Sequence, residues 1–151
     1  MRTAVRIFIS LWYLLGWIAH VYMGLFVSTA YNSFGDTALI PAYTTLWKDV
    51  VLPNITLFAF LLAVFELSVG SLLISRGKWV KIGLVLSILF NLFLVQMGLG
   101  WQVNSALSDF LVNRLPNLVF IAIQLPLLFW GWDERSIPEM ILRRKSNKSP
   151  V

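Results

Sequence analysis

Apolar side chains run almost without interruption through four stretches of the chain. Each stretch is long enough to cross about 30 Å of hydrocarbon at a rise of about 1.5 Å per residue. The predicted helices are residues 5–30, 52–75, 80–101 and 115–132. Strands of a membrane barrel would alternate apolar and polar positions instead, so these runs exclude a barrel. The pattern therefore predicts an all-α integral membrane protein, a four-helix transmembrane bundle that forms a single domain over residues 1–151.

The first apolar run is predicted to be a retained helix. It is too long for a secretory signal, and no small-residue cleavage pattern follows it before the next loop. Composition agrees with a membrane protein, because 58% of the 151 residues are hydrophobic, 13% are charged and the mean hydropathy is +0.78.

Cationic residues predict the orientation of the bundle, because Lys and Arg in short loops stay on the cytoplasmic side. Two of the twelve, Lys48 and Arg114, lie at the opposite ends of the predicted helices from the rest. The others lie at the N-terminus, in the link between the second and third helices and in the tail: Arg2, Arg6, Arg76, Lys78, Lys81, Arg135, Arg143, Arg144, Lys145 and Lys148. Both termini are therefore expected in the cytoplasm and the protein in the cell (inner) membrane, with the basic tail 133–151 docked on anionic lipid.

Several classes of site are excluded by composition. The chain has no cysteine, which removes disulfides, thiolate metal sites and dithiol relays. Its single histidine, His20, cannot ligate a haem through two imidazoles. The sequence therefore encodes no cofactor or metal site, and its net charge of +5 is explained by lipid headgroups without a nucleic-acid partner.

The segments between the predicted helices also allow structural predictions. Residues 31–51 include Gly35 and Pro41, which are expected to break any long helix and leave the segment across the outer mouth of the bundle. In QVNSALSDFLVNR, residues 103, 107, 110 and 111 recur at helical spacing, which indicates a short amphipathic helix. The link SRGKW is so short that the second and third helices are expected to be the tightest pair.

Helical spacing gives each predicted helix one face that is smaller and more polar than the rest. Small residues on that face let a neighbouring helix approach closely, so the face is expected to point into the bundle. The four faces are Tyr13, Gly16, His20 and Gly24; Ala59, Ala63, Glu66 and Gly70; Gly83, Ser87, Asn91 and Gly98; and Asn117, Ile121, Gln124 and Leu128.

Glu66 is the first candidate for a functional residue. A carboxylate near the bilayer midplane costs about 3 kcal/mol even on the lenient insertion scale, so it is usually kept for a ligand, a proton or a partner charge. No Lys or Arg lies at its depth, which predicts that it is protonated and hydrogen-bonded, reached by water, or paired with another molecule.

The other candidates for ligand binding or proton handling are His20, Asn91, Gln124 and Tyr13. The simpler alternatives are that Asn91 and Gln124 hydrogen-bond neighbouring helices, and that His20 donates to a helix backbone or a lipid headgroup. Gln96 lies about 140° around the third helix from Asn91. It is therefore a candidate for an interface with a partner protein, or it faces a different helix of the bundle.

Residues 65–83, FELSVGSLLISRGKWVKIG, resemble the second-helix signature of the DoxX-like family of membrane proteins. That signature has a glutamate one turn before a glycine, then an apolar stretch and a tight turn with glycine and basic residues. The matching positions are Glu66, Gly70, Arg76, Gly77 and Lys78. Gly16 and Gly24 in the first helix, followed by a long outer loop with Gly35 and Pro41, extend the resemblance along most of the chain.

The resemblance implies a four-helix bundle associated with membrane redox systems, including subunits of a thiosulfate-to-quinone oxidoreductase. The first hypothesis is a noncatalytic subunit of a larger redox or respiratory complex, packed against other subunits or further copies of itself. The alternative is a quinone-linked or lipophile-binding bundle that uses Glu66 and His20, with a quinone or lipid as the bound molecule. A small proton-coupled exporter is a third hypothesis, and whether the chain is an enzyme stays open.

Overall fold

A computed structural model describes residues 2–129 and 135–146. Within these ranges the chain is helical and contains no strand. The α-helices are α1 (Arg2–Phe26), α2 (Pro41–Leu46), α3 (Ile55–Ile74), α4 (Lys78–Met97), α5 (Ala106–Asp109), α6 (Leu115–Phe129) and α7 (Ile137–Ser146). Short 3₁₀ turns cover Ser28–Tyr31 and Phe34–Thr37. Residues 27–51 are called the outer segment, after the predicted orientation, which stays a prediction.

Four helical stretches in the described residues are long and apolar enough to cross a membrane: Thr3–Phe26, Pro41–Ile74, Lys78–Met97 and Ala106–Phe129. The predicted number of helices long and apolar enough to span is confirmed, but several predicted ends are wrong. The first helix ends before residue 30 and the third before residue 101, whereas the second and fourth stretches begin about ten residues earlier than predicted. The predicted fourth end, residue 132, lies outside the described residues, as do residues 133–134 and 147–151 of the tail.

The early starts have a local cause. Pro41 begins a helix instead of breaking one, because its fixed φ suits the first helical position and its missing N–H is not needed there. Later prolines follow wide π-helical turns at Trp47–Val51 and Phe110–Arg114. A proline inside a helix clashes with the carbonyl four residues earlier, and the wider turn before Pro53 and Pro116 makes room for the ring.

The closest helix pair is α1 with α3, which run antiparallel. A Cβ atom added at Gly24 would lie 2.5 Å from Cβ of Ala59, and one added at Gly70 would lie 2.7 Å from Cγ of Leu14. The expectation that the second and third spanning helices pack most tightly is therefore wrong. A short link ties only the ends of two helices, whereas side-chain size along the shared face sets their separation.

One end of the bundle is closed by Arg6, whose side chain is buried. Its guanidinium donates to the carbonyls of Leu73 at 2.8 Å and Ile74 at 3.1 Å, and also to that of Ser75, so it satisfies the last turn of α3. It also donates to the carbonyl of Arg135 at 3.1 Å. The beginnings of α1 and α7 and the end of α3 thus lie at the same end of the bundle. That this end faces the cytoplasm stays a prediction.

The opposite end is closed by Arg114, which is 5% exposed. It donates to the carbonyls of Val95 at 2.8 Å and Gln96 at 3.3 Å at the end of α4, and its Nη2 lies 3.1 Å from Oδ2 of Asp109. It also donates to the carbonyl of Thr37. The first outer segment is therefore fastened to the end of α4, which holds that segment in place over the space between the helices.

Candidate ligand site

A cavity of about 1120 Å³ lies between the spanning helices and beneath the outer segment. It is partly open to the outside of the bundle, and its wall is mainly apolar. Tyr31, Phe34, Tyr43, Leu46 and Trp47 close its outer side, in agreement with the prediction that residues 31–51 lie across the outer mouth. The polar side chains in its wall include Tyr13, His20, Tyr31, Glu66, Asn91 and Asn117.

Glu66 lies on the face of α3 that packs against α1, and it is 4% exposed. Its Oε1 lies 3.4 Å from Nε2 of His20. A Cβ atom added at Gly16 would lie 2.8 Å from Oε2 of Glu66, so the carboxylate occupies the space that this glycine leaves. Oε2 has no hydrogen-bond partner among the described residues.

His20 connects Glu66 with Tyr31. Its Nδ1 lies 2.7 Å from the hydroxyl of Tyr31, on the other side of the ring from Glu66. Tyr31 is held in turn by Trp47, whose Nε1 donates to the Tyr31 carbonyl at 3.0 Å. Burial raises the pKa of Tyr31 to about 12, with a further contribution from the negative charge of Glu66. Tyr31, His20 and Glu66 therefore form a continuous row of polar side chains along one wall of the cavity.

Tyr13 and Asn91 belong to a second network, which is internally satisfied. The Tyr13 hydroxyl accepts from Oγ of Ser87 at 2.8 Å and from Nδ2 of Asn91 at 3.0 Å. Nδ2 of Asn91 also donates to the carbonyl of Ser87 at 2.8 Å. These contacts join α1 to α4, so the simpler alternative, hydrogen bonding between neighbouring helices, describes what Asn91 does here.

The remaining candidates lie elsewhere. Gln124 is fully buried and donates to the carbonyl of Phe120 at 2.9 Å, but it is not in the cavity wall. Gln96 is half-buried near the end of α4, and its carbonyl accepts from the backbone N–H of Leu39 at 2.8 Å. Four of the five predicted site residues, His20, Tyr13, Glu66 and Asn91, thus share one cavity, whereas Gln124 does not.

No Lys or Arg lies at the depth of Glu66, which predicts that it is protonated and hydrogen-bonded, reached by water or paired with another molecule. The structure places the imidazole of His20 beside it. Two polar residues of the cavity wall were missed as site candidates. Asn117 lies on the predicted polar face of the fourth helix, which was a usable signal, but Tyr31 lies in an outer loop whose course only the tertiary structure shows.

No group of three or more His, Cys, Asp or Glu side chains in the described part of the chain is arranged to hold a metal ion. The polar side chains in the cavity wall are hydrogen-bonding groups set in a mainly apolar surface. Comparison of the chain with models of protein families, with curated proteins and with solved structures finds no match in any of the three.

Proposed function

We propose that this chain is an integral membrane protein that binds a lipophilic molecule between its helices, with the polar group of that molecule at His20 and Glu66. The observation that carries the proposal is the contact between these two side chains in the wall of a large, mainly apolar cavity. An ionisable pair inside an apolar bundle is usually kept for a ligand or a proton pathway.

The size and character of the cavity support a lipophile in particular. Ligand sites typically enclose about 300 to 1,000 Å³ and combine apolar walls with a few convergent polar groups. At about 1120 Å³ this cavity is slightly larger than that range, and it is partly open. Exposed apolar side chains, among them Leu11, Trp12 and Leu15, form part of its wall. Aromatic side chains in the wall, among them Trp12, Phe65 and Phe120, offer flat surfaces against which a ring can pack.

A quinone-type molecule is the ligand class that we propose first, in keeping with the resemblance to DoxX-like proteins. The chain of Tyr31, His20 and Glu66 can accept and pass on the protons that such a molecule binds or releases. The orientation with both termini in the cytoplasm and the location in the cell membrane are part of the same proposal, supported by the distribution of Lys and Arg.

The proposal is tested by purification in mild detergent, followed by extraction and mass spectrometry of bound lipophiles. The protein is expected to retain a quinone or another lipophile in near-stoichiometric amount. Glu66→Gln keeps the shape of the side chain but removes its titratable proton, and it is expected to lower that amount at least tenfold. Glu139→Gln, the same change at an exposed carboxylate of α7, is the matched control. Equal retention by both variants, or no lipophile in the unmodified protein, would contradict the proposal.

A second candidate function is that of a noncatalytic subunit in a larger membrane complex. One face of α4 carries the exposed side chains of Leu89, Leu92 and Phe93, and the half-buried Gln96 follows them at helical spacing, so a polar side chain interrupts an otherwise apolar surface. A transmembrane helix of another subunit, or of another copy, would give Gln96 a hydrogen-bond partner. A photo-crosslinker at position 92 is expected to capture another protein in native membranes if the chain is a subunit of a complex. It is expected to capture lipid alone if the chain works only as a lipophile-binding protein.

A further inference from the structure

The outer side of the cavity is covered by the outer segment, which is fastened at several points. The hydroxyl of Thr37 donates to the carbonyl of Met97 at 3.2 Å, and the carbonyl of Thr37 accepts from the buried Arg114. Nε1 of Trp47 donates to the carbonyl of Tyr31 at 3.0 Å. Lifting the segment would break these hydrogen bonds and leave buried polar groups unpaired, so a large molecule is not expected to enter from this side.

Three pairs of neighbouring spanning helices are held together closely. The helices α1 and α3 form the closest pair. Between α3 and α4, a Cβ atom added at Gly83 would lie 3.0 Å from Cβ of Leu72. Arg114, directly before α6, donates to the carbonyl of Val95 at 2.8 Å and so holds α6 against the end of α4. A large molecule could pass through these three contacts only if the helices separated.

The contact between α1 and α6 is the least extensive of those between neighbouring spanning helices. Toward the end of the bundle that Arg6 closes, the rings of Trp12 and Phe120 meet with their centroids 5.7 Å apart. Toward the outer segment, Leu15 and Ala19 of α1 and Pro116 of α6 are exposed, although all three belong to the cavity wall. A wall residue that is also exposed marks a place where the cavity reaches the outside of the bundle. The cavity therefore has an opening on its side, between these two helices.

A second possible opening lies between α3 and α4, where Leu61 and Phe93 are also exposed wall residues. Large aromatic side chains fill much of the space there. The rings of Phe65 and Phe90 lie 5.1 Å apart, and the ring of Tyr43 lies 5.8 Å from that of Phe93. This second opening is the alternative against which the first is tested.

We propose, on the basis of the ligand site proposed above, that the lipophile enters and leaves the cavity sideways from the bilayer, through the opening between α1 and α6. Leu15, Ala19 and Pro116 form the rim of this opening, and the contact between Trp12 and Phe120 forms its inner edge. The ligand class is thus a molecule that dissolves in the hydrocarbon of the membrane. Access from the bilayer sets the rates of uptake and release, whereas the cavity sets the affinity.

Each of the two openings has one leucine that is both exposed and part of the cavity wall. These are Leu15, which is 60% exposed, and Leu61, which is 54% exposed. The chain has no cysteine of its own, so Leu15→Cys and Leu61→Cys each place a single thiol at one opening. Benzyl methanethiosulfonate attaches a benzylthio group to the thiol through a disulfide, and dithiothreitol removes it. The two variants are therefore matched in residue type, exposure and modification.

The experiment measures the rates at which the purified full-length protein takes up and releases decylubiquinone, a quinone with a hydrocarbon tail. Protein in detergent micelles is mixed rapidly with micelles that contain the quinone. The saturable loss of tryptophan fluorescence reports binding, since Trp12 and Trp47 line the cavity. Release is followed after dilution into empty micelles, and the ratio of the two rate constants gives the dissociation constant.

The benzylthio group at position 15 is expected to slow both uptake and release by about tenfold, because it obstructs the route and not the site. The dissociation constant is expected to stay within about twofold, since both rates change by the same factor. Dithiothreitol is expected to restore both rates. The same group at position 61 is expected to change neither rate by more than about twofold.

The other outcomes separate the route from the site. Slower exchange with the group at position 61 alone, at both positions or at neither would overturn the assignment of the opening between α1 and α6, while lipophile binding stands. Slower uptake with an unchanged release rate at position 15 would place that residue in the bound site and would also overturn the proposed route. If the unmodified protein shows no saturable binding, the proposed ligand site fails and the inference fails with it.

Discussion

Gly16 of α1 lies directly against the carboxylate of Glu66 on α3. A Cβ atom at residue 16 would lie 2.8 Å from Oε2 and 3.1 Å from Oε1. The glycine thus creates the space in which the acidic group is buried beside His20, and no other amino acid leaves that space free. Gly16 therefore belongs both to the contact between α1 and α3 and to the candidate ligand site.

Gly16→Ala is expected to displace the Glu66 carboxylate and separate it from His20, because the added methyl group occupies its position. The end of a flexible side chain can move, so the protein should remain folded while the amount of bound lipophile falls severalfold. Gly24→Ala is the matched control, since its methyl group meets Cβ of Ala59 at 2.5 Å in the same helix pair. That variant should lower the free energy of unfolding by about 1 to 3 kcal/mol through overpacking. Thermal unfolding and ligand extraction are measured for both, and a Gly16→Ala protein with undiminished ligand content would contradict the expectation.

Tyr31, the tyrosine that contacts His20, is expected to make the free energy of unfolding depend on pH. The pKa of Tyr31 is raised from 10.0 to about 12, so above pH 10 this tyrosine ionises in the unfolded chain while it stays neutral in the folded protein. The free energy of unfolding is therefore expected to fall as the pH rises from about 10 to about 12. Tyr31→Phe should reduce that fall. The tyrosinate absorbance of this variant is subtracted from that of the unmodified protein, and the difference, which belongs to Tyr31, should titrate near pH 12. A difference that titrates near pH 10 would show that Tyr31 is not buried as described.

The buried arginine at the outer end is expected to be important for stability. Arg114→Met leaves Asp109 without its cation and the last carbonyls of α4 without their donor. The expected loss in free energy of unfolding is about 3 kcal/mol, as is usual when one partner of a buried ion pair is removed. Lys48→Met is the control, because the pair of Lys48 with Asp36 at 2.7 Å is largely exposed and such pairs contribute about 0 to 1 kcal/mol. The free energy of unfolding is measured from denaturation curves. An equal loss in the two variants would contradict the role assigned to Arg114.

The orientation in the membrane can be tested with single cysteines, because the chain has none of its own. Lys48→Cys and Arg76→Cys place thiols at exposed positions at opposite ends of the bundle. A membrane-impermeant maleimide added to intact cells is expected to label position 48 directly and position 76 only after the cells are permeabilised. The reverse pattern would show that the cationic loops lie outside.

The sequence by itself was sufficient for the number of helices long and apolar enough to span a membrane and for the side of each helix that faces inward. Long apolar runs leave a helix as the only way to satisfy the backbone inside a bilayer, and the helical period then assigns Glu66, Asn91 and Gln124 to buried faces. Both are local properties of the chain. The buried positions of these three residues agree with that assignment.

The partners of those residues were decided by the tertiary structure alone. Depth along a helix does not tell which neighbour a side chain meets, so the contact between His20 and Glu66 emerged only from the antiparallel packing of α1 on α3. Tyr31 ends a 3₁₀ turn and Arg114 ends a π-helical turn, so the α-helical period does not predict the direction of either side chain. Only the tertiary structure places Tyr31 in the cavity wall and Arg114 at the end of α4. Helix period is set by backbone geometry, whereas these contacts depend on how separate segments of the chain pack together.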